Sequence, residues 1–281
     1  SSASWIVATV YNTYTGNVFQ DHILGENAGD KCGTSVSLSA DGNWIAVGAP
    51  YNDGGGNNSG HVKVYQWQGA IWGQYGPDIN GNSADENCGY SVSLTNNIDP
   101  NSILGLPFYT SSTAVAIGSP GNNSDKGRVR VFGHDNVAVG WSSAIWNQIG
   151  SDLDGINSGD KFGFSVALSP NGYTLAVSAP WEDVNGLTDA GRVDSYYLST
   201  MNGGDWRQMM YNNPIVGQAA NEKIGYQLST NWQGDIISVG SPWSNNNTGS
   251  VSIYSGTPNS GIYTFEAQID GDSPSNYLGI S

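Results

Sequence analysis

Residues 159–180 read GDKFGFSVALSPNGYTLAVSAP, and this stretch decides the predicted fold. Phe-Gly opens it, Ala-Pro closes it, and between them lie two short runs in which apolar residues alternate with other residues. A period of two is typical of a half-buried β-strand. The Pro-Asn-Gly between the runs favours a tight turn, because asparagine and glycine tolerate positive φ. The stretch therefore predicts a β-hairpin.

The same pattern recurs at residues 29–50, 85–120 and 221–242. From Phe162 to Ala176 is 14 residues, and the equivalent positions have this spacing in two of the other copies. The copy at 85–120 carries 14 additional residues, within 96–113. After each closing proline come a polar loop, a Gly-x-Val-x-Val-like strand and an aromatic-led strand. Each unit therefore predicts four strands.

A lone four-stranded sheet cannot bury both of its faces, whereas sheets set around one axis pack on their neighbours. The repeats therefore predict an all-β protein, a β-propeller of four-stranded blades that forms one domain over residues 1–281. We expect five blades, with the N- and C-terminal strands sharing one of them. The predicted units are residues 29–84, 85–158, 159–220 and 221–270, and a closing blade made of 271–281 and 1–28.

The closing blade rests on residues 278–281, Leu-Gly-Ile-Ser, which align with 162–165 and so open a further unit. Residues 5–11 and 17–24 are interpreted as its third and fourth strands; an alternative alignment makes 5–12 a second strand. A closed ring would remove free sheet edges, which invite aggregation. The other interpretation is that the chain is a segment of a longer array of repeats.

The unit resembles the FG-GAP repeat of integrin α-chain propellers and their microbial and algal relatives. Phe-Gly at 162–163 with Ser-Ala-Pro at 178–180 is the closest match, and Gly-Ala-Pro stands literally at 48–50. The resemblance covers nearly the whole chain. It departs from the family in that Cys or Ile replaces Phe in three copies, and the Asp-rich calcium loop that many members hold between the first two strands is absent.

The composition narrows the classes of function. The 281 residues carry a net charge of −15 with only 9 Lys and Arg, which argues against binding to nucleic acid or to an anionic membrane surface. No run of 18 apolar residues is present, so we expect no membrane span. Few charges with abundant Gly, Asn and Ser favour an extracellular or cell-surface β-protein. Because the sequence begins at Ser1 without Met, we expect a processed or excised chain.

An aromatic residue follows the closing proline in three copies: Tyr51, Trp181 and Trp243. Gly121 takes this position in the fourth copy. A flat aromatic ring stacks well on the apolar C–H face of a sugar. These residues are therefore candidate ligand-binding residues for a glycan, and the alternative is that they pack between blades.

Three N-glycosylation sequons begin at Asn57, Asn122 and Asn246. All three fall in the loop between the proline and the third strand, which places them on one rim. We expect them to carry glycans if the source is a secreting eukaryote.

Calcium is the one cofactor for which the sequence offers candidate ligands. The spacing of Asp183, Asn185 and Asp189 is loosely that of a calcium loop. An acid also precedes the opening strand in four copies, at residues 30, 86, 160 and 222. These four acids could attract a cation at the axis, but we expect them to make local turn hydrogen bonds or to pair with lysines.

Cys32 and Cys88 occupy the same position in adjacent blades. A disulfide needs Cα atoms within about 7 Å, a separation that neighbouring inner strands can approach. The alternative is that they are two small buried hydrophobic side chains.

Because the sequence offers only weak signals for catalysis, we expect that the chain is not an enzyme. The inner strands carry no acid, and the three histidines, His22, His61 and His134, lack metal or triad spacing. We expect a secreted or cell-surface non-catalytic module for binding or adhesion, which recognises an extracellular glycan or protein through its rim loops. The alternative is a structural subunit of an extracellular filament or coat. The apolar insert 96–113 would then be a surface for self-assembly, or else a plug.

Overall fold

The computed structural model describes residues 23–96, 113–134, 145–199, 204–209, 214–256, 262–273 and 275–281. Most of the insert 96–113 and residues 1–22 of the closing blade lie outside the described residues. The predictions made for them, including His22 and the self-assembly surface, stay predictions.

Each of the first three sheets has five strands. The first contains β1 (Ser35–Leu38), β2 (Trp44–Ala49), β3 (His61–Trp67), β4 (Trp72–Gln74) and β5 (Ile79–Asn80). The second contains β6 (Ser91–Thr95), β7 (Ala114–Ser119), β8 (Arg128–His134), β9 (Trp146–Gln148) and β10 (Leu153–Asp154), with the single turn α1 (Asn122–Asp125) between β7 and β8. The third contains β11 (Val166–Leu168), β12 (Thr174–Ala179), β13 (Arg192–Ser199), β14 (Asp205–Gln208) and β15 (Ile215–Val216).

The fourth sheet contains β16 (Leu228–Thr230), β17 (Ile236–Ser241), β18 (Ser250–Gly256) and β19 (Tyr263–Asp270), with the single turn α2 (Ser244–Asn247) between β17 and β18. All pairings within the four sheets are antiparallel and follow chain order from the inner strand outwards. The inner strands β1, β6, β11 and β16 contact one another in succession, so the sheets are arranged like propeller blades. The predicted all-β propeller fold is confirmed.

The outer strand differs from the prediction in the first three sheets. The aromatic-led run was expected as one strand, but in the first sheet β4 and β5 pair separately with β3. Gly76 between them has a φ of 75°, and Pro77 has no N–H to donate to the ladder. The strand therefore breaks, and each sheet is four strands wide.

Serine side chains join neighbouring blades along the inner strands. Ser35 Oγ donates a hydrogen bond to the main-chain oxygen of Gly89 at 2.7 Å, and Ser91 Oγ donates to that of Gly163 at 2.9 Å. Ser37 Oγ accepts a hydrogen bond from the main-chain nitrogen of Leu94 at 2.9 Å. These bonds explain why serine recurs after Phe-Gly, and they give the recurring serine a structural role.

Each junction between blades is a close backbone contact. The position of Phe in the Phe-Gly motif forms a parallel bridge to the glycine before the third strand of the preceding blade, at Gly60–Cys88, Gly127–Phe162 and Gly249–Leu278. A Cβ atom on Gly127 would lie 1.9 Å from the Phe162 oxygen, so only glycine fits. The bridge to Leu278 shows that the C-terminal residues repeat this junction.

Apolar clusters fill the spaces between adjacent sheets. Trp44, Val62 and Val115 belong to the cluster between the first and second sheets, and Val129 and Val177 to the next. Burying one such aliphatic side chain stabilises the fold by about 1.5–3 kcal/mol. By contrast, the outward faces of the first and last described sheets expose apolar side chains: Val36, Leu38 and Ile269. These are the faces on which the sequence predicts the closing blade, and ring closure stays a prediction.

The two cysteines are both free. Cys88 is fully buried, and its Sγ lies 3.5 Å from an Arg130 nitrogen, while Cys32 packs at the junction before the first sheet. Burial raises the pKa of the Cys88 thiol to about 11. The described structure therefore does not form the candidate disulfide, and of the two side chains only Cys88 is buried, whereas Cys32 is half-buried. In the part of the chain that is described, no helix has the length and apolar character that crossing a membrane requires.

Candidate ligand-binding site

A cavity of about 590 Å³ lies between the four inner strands, where the blades meet. At one end, which we call the mouth, the residues at the start of each inner strand line it: Thr34, Tyr90, Phe164 and Tyr226. Serine hydroxyls and one glutamine amide make up most of its polar lining: Ser35, Ser91, Ser93, Ser165, Gln227 and Ser229. The described lining residues carry no formal charge, so this part of the cavity suits an uncharged polar group such as part of a sugar.

Six aromatic rings form a continuous arc beside this mouth, which we call the aromatic arc: Tyr90, Phe164, Trp181, Tyr226, Trp243 and Tyr277. The ring centroids of Phe164 lie 5.0 Å from Tyr90, 4.8 Å from Trp181 and 4.8 Å from Tyr226. Tyr226 lies 4.7 Å from Trp243, which lies 6.4 Å from Tyr277. The arc joins the third and fourth sheets and continues to the C-terminal junction.

The local fold explains why these rings converge. The second strand of each sheet runs antiparallel to the first, so the residue after the closing proline returns beside the start of the inner strand. Trp181 therefore meets Phe164 of its own sheet, and it also lies 6.2 Å from Tyr226 of the next sheet. Rings at three positions of the repeat form the arc. Sequence analysis identified only one of these positions, the residue after the closing proline.

Three lysines lie over aromatic rings, and two of them, Lys161 and Lys223, lie over rings of the arc. Lys161 Nζ lies 5.3 Å from the Trp181 ring centre, and Lys223 Nζ lies 4.9 Å from that of Trp181 and 5.3 Å from that of Trp243. Lys31 Nζ lies 4.2 Å from the ring centre of Tyr51. Such cation–π contacts stabilise by about 0.5–1 kcal/mol at exposed sites. The lysines were missed as site residues, although their recurrence before the Phe-Gly position was a visible signal.

The structure thus brings two of the three predicted aromatic residues together. Trp181 and Trp243 belong to the aromatic arc, and both are half-buried by ring and lysine contacts. Tyr51 lies against Lys31 at the first sheet. At Gly121 a Cβ atom would lie 2.1 Å from the Asp85 oxygen, so this blade has no room for an aromatic side chain.

The acids before the inner strands make local turn hydrogen bonds, as expected. Asp30 Oδ2 accepts a hydrogen bond from the Asn27 nitrogen at 3.1 Å. Glu86, Asp160 and Glu222 accept hydrogen bonds from main-chain nitrogens three or four residues earlier in the same way. Burial raises the pKa of Asp160.

The calcium candidate at Asp183, Asn185 and Asp189 lies in a polar loop. Asp183 Oδ1 accepts a hydrogen bond from the Asp189 nitrogen at 2.9 Å, and Lys223 Nζ lies 3.5 Å from Asp189 Oδ2. The nearby ammonium reduces the attraction of this loop for a cation, and calcium binding here stays a prediction.

One further trio in the described ranges has metal-ligand types: Glu26, His61 and Asp78, whose ligand atoms lie within 4.8 Å of one another. Lys63 Nζ lies 2.5 Å from Glu26 Oε1 and 3.7 Å from Asp78 Oδ2. The lysine therefore already supplies the positive charge that these carboxylates attract.

The three sequons differ in exposure. Asn57 and Asn246 are exposed, whereas Asn122 is only 6% exposed. A buried acceptor amide is poorly placed for a glycan. Asn57 and Asn246 are thus better placed than Asn122 to accept a glycan. Glycosylation at each of the three stays a prediction.

A smaller cavity of about 110 Å³ lies where the second and third sheets meet, and Asp154, Asp160, Glu182, Arg192 and Asp194 line it. Arg192 Nη1 lies 3.4 Å from Glu182 Oε1, and its Nη2 lies 2.9 Å from Asp194 Oδ1. Burial raises the pKa of Glu182 to about 7, although Arg192 opposes the shift. This side chain therefore titrates near neutral pH within the small cavity.

Two parts of the chain, residues 25–65 and 153–193, match the FG-GAP repeat family. No curated protein sequence matches this chain. Among solved structures, the chain is similar to a Bacteroides uniformis protein titled a "putative 6-phosphogluconolactonase", with 15% identity and a TM-score of 0.52 over 92% of this chain and 62% of that one. It is also similar to a Lactobacillus plantarum protein, with 13% identity and a TM-score of 0.52 over 95% of this chain and 63% of that one.

The chain spans about three fifths of the length of these two structures. At such identities the likeness shows the fold alone, and it assigns no reaction or substrate to this chain. It does correct the expectation that the chain is not an enzyme. That expectation rested partly on inner strands without acids, yet the same fold occurs in a protein titled as a lactonase. Fold and strand composition are therefore no argument against catalysis here.

The matched segments contain the first and third of the four repeats, and the repeats build four blades around one axis. Two of the four repeats thus match the FG-GAP repeat model, and the fold of the described residues is propeller-like.

Proposed function

We propose that this protein is a secreted or cell-surface binding module that recognises a glycan at the mouth of its axial cavity. The observation that carries the proposal is the aromatic arc, which borders an uncharged, hydroxyl-lined cavity of about 590 Å³. Aromatic rings beside a few convergent polar groups are typical of small-molecule and sugar sites. FG-GAP repeats and a surface rich in uncharged polar residues support an extracellular location.

The size of the arc favours an oligosaccharide over a single sugar. Its rings follow one another at centroid distances of 4.7–6.4 Å, from Tyr90 through Tyr226 to Tyr277. A ligand that lies along the arc contacts several rings at once, and a group that enters the cavity meets hydroxyls. This arrangement supports recognition of an extended chain with one unit inserted at the axis.

The test is a double substitution, Trp181→Ala with Trp243→Ala, measured against a panel of immobilised oligosaccharides. We expect about a tenfold or greater loss of affinity, since each ring contributes on the order of 1 kcal/mol beyond its buried area. Trp232→Ala is the matched control, because Trp232 is an exposed tryptophan in the turn between β16 and β17, at the opposite end of the inner strand.

The two tryptophans also pack against neighbouring rings, so the thermal unfolding of each variant is measured in parallel. Trp243→Phe keeps an aromatic ring at the arc and is expected to retain most of the affinity. Unchanged binding by a folded double variant would refute the proposal, and binding of a protein partner in place of every glycan would do the same.

One observation favours the second candidate, a structural subunit of an extracellular assembly. The outer strand β19 has eight residues in one piece and exposes Phe265 and Ile269, whereas the outer strands of the first three sheets are broken. A long exposed edge strand is a template for pairing with another chain. Phe265→Lys would then disperse filaments that electron microscopy detects; filaments of unchanged length, or dispersed monomers in the unmodified protein, would refute this candidate.

A further inference from the structure

We propose that the glycan recognised at this mouth is anionic, and that Lys31, Lys161 and Lys223 bind its sulfate or carboxylate substituents. This inference rests on the proposed function and names the chemical class of its ligand. The three lysines stand at the same repeat position, directly before the Phe-Gly position of their blades. They account for three of the nine basic residues in a chain of net charge −15.

The first argument is the difference in burial between the acid and the lysine at each junction. Each lysine follows an acid that accepts hydrogen bonds from main-chain nitrogens. In the first and third sheets the acid is buried and the lysine is more exposed, whereas Glu222 and Lys223 of the fourth sheet are both half-buried. Asp30 is 5% exposed and Asp160 is 7% exposed, whereas Lys31 is exposed and the Lys161 side chain is 37% exposed. A ligand that approaches the rim therefore meets the ammonium groups before it meets the carboxylates.

The second argument is the weak pairing of these lysines. Lys161 Nζ lies 3.9 Å from Asp125 and Lys223 Nζ lies 3.5 Å from Asp189, and no described carboxylate pairs with Lys31. Arg128, by comparison, lies 2.6 Å from Asp154 Oδ1. Both pairs are long, and the Lys161 pair is exposed, so an incoming anion displaces it at small cost. The Lys223 pair is less exposed, with side chains 20% and 27% exposed.

The third argument is backbone conformation. Lys31, Lys161 and Lys223 have φ of 51°, 56° and 52°, a left-handed region that is unfavourable for lysine. The second blade has Asn87 at this position, with φ of 57°, and asparagine tolerates this region well. Stability alone thus favours asparagine, and three lysines at this position support a role for their charge.

The fourth argument is what the rings present to solvent. Because Lys161 and Lys223 lie over Trp181, and Lys223 also lies over Trp243, the faces of these indoles are partly covered by ammonium groups. A neutral sugar would have to displace these groups in order to stack. A sugar with an anionic substituent pairs with the ammonium and contacts the adjacent ring at the same time.

The experiment compares polymers that differ only in charge: dextran with dextran sulfate, and methyl-esterified polygalacturonate with polygalacturonate. We expect the protein to bind at least one charged polymer about tenfold more tightly than its uncharged form, with affinity that falls as salt rises. The two pairs separate sulfate from carboxylate recognition. The strongly acidic chain repels polyanions generally, so a preference for them points to a local site.

The triple substitution Lys31→Asn, Lys161→Asn and Lys223→Asn copies the residue of the second blade, and it is expected to fold and to lose the preference. Lys161→Asn alone is compared with Arg207→Asn, which removes one charge from an exposed position on β14, away from the mouth. Equal binding of charged and uncharged polymers, unchanged in the triple variant, would overturn this inference and leave the proposed function intact. Binding of none of the four polymers would also overturn this inference, whereas the oligosaccharide panel decides the proposed function separately.

Discussion

The indole nitrogen of Trp206 donates a hydrogen bond to the main-chain oxygen of Ile149, 3.0 Å away in the preceding blade. Trp146 makes the same bond to the oxygen of Tyr75, also at 3.0 Å. A hydrogen bond thus joins the aromatic-led outer strand of one blade to the blade before it. The recurring tryptophan fills the space between the sheets, and its N–H also pairs with a main-chain oxygen.

Replacing Trp206 by Phe is therefore expected to lower the free energy of unfolding by about 1–3 kcal/mol, because it leaves a buried acceptor unpaired. Trp206→Ala is expected to cost about 3–5 kcal/mol, since it also opens a cavity. Urea denaturation measures both variants. A Phe variant as stable as the unmodified protein would mean that the hydrogen bond contributes nothing beyond the ring's packing.

Much of the fold was predictable from residues with local meaning. Asn171 and Gly172 form the expected turn, and the Gly172 nitrogen donates to the Ser169 oxygen at 2.7 Å. The aromatic arc was not predictable, because Lys223 meets Trp181 and Trp243 only when two blades are brought side by side. Spacing along the chain gives the repeat positions, but contacts between blades depend on how the sheets are set around the axis.

The buried pair of Arg130 and Glu86 gives a second prediction. Glu86 is fully buried, and its Oε1 lies 3.2 Å from Arg130 Nη2. Arg130→Met leaves this carboxylate without its counter-charge and is expected to cost about 3 kcal/mol of unfolding free energy.

Adding Glu86→Gln to the Arg130→Met variant is expected to restore most of that loss. The amide oxygen still accepts from the Asn82 nitrogen, which now lies 2.6 Å from Glu86 Oε2, and no charge remains buried. Chemical denaturation at neutral pH compares the single and double variants. A double variant no more stable than the single one would show that packing of the arginine stem, rather than charge, causes the loss.

Glu182 predicts a dependence of stability on pH. Its pKa rises from 4.5 to about 7 on folding, because burial disfavours the charged form. A raised carboxyl pKa contributes stability below pH 4.5, and that contribution is lost as the pH rises towards 7. Glu182→Gln is therefore expected to be more stable than the unmodified protein at pH 8, by about 1 kcal/mol after allowance for partial exposure, and not at pH 4.

Glu26→Gln is the control of opposite sign. The hydrogen bond from Lys63 lowers the pKa of Glu26, so its contribution is present above pH 4.5 and is lost as the pH falls. This variant is expected to be less stable than the unmodified protein at pH 8. Parallel pH profiles for Glu182→Gln and Glu26→Gln would contradict both assignments.

The glycine at each blade junction gives the last prediction. Gly127 has a φ of 84°, and a Cβ atom there would lie 1.9 Å from the Phe162 oxygen, so alanine must push two backbones apart. Gly42 has a similar φ of 73°, but a Cβ atom there would meet nothing within 4 Å. Gly42→Ala therefore measures the cost of positive φ alone, about 1 kcal/mol. Gly127→Ala is expected to cost at least twice that and to lower the melting temperature accordingly, because a backbone clash in a packed core is added to the strain. Equal losses for the two alanines would mean that the blades separate easily at this junction, and that the parallel bridge between Gly127 and Phe162 does not hold them together.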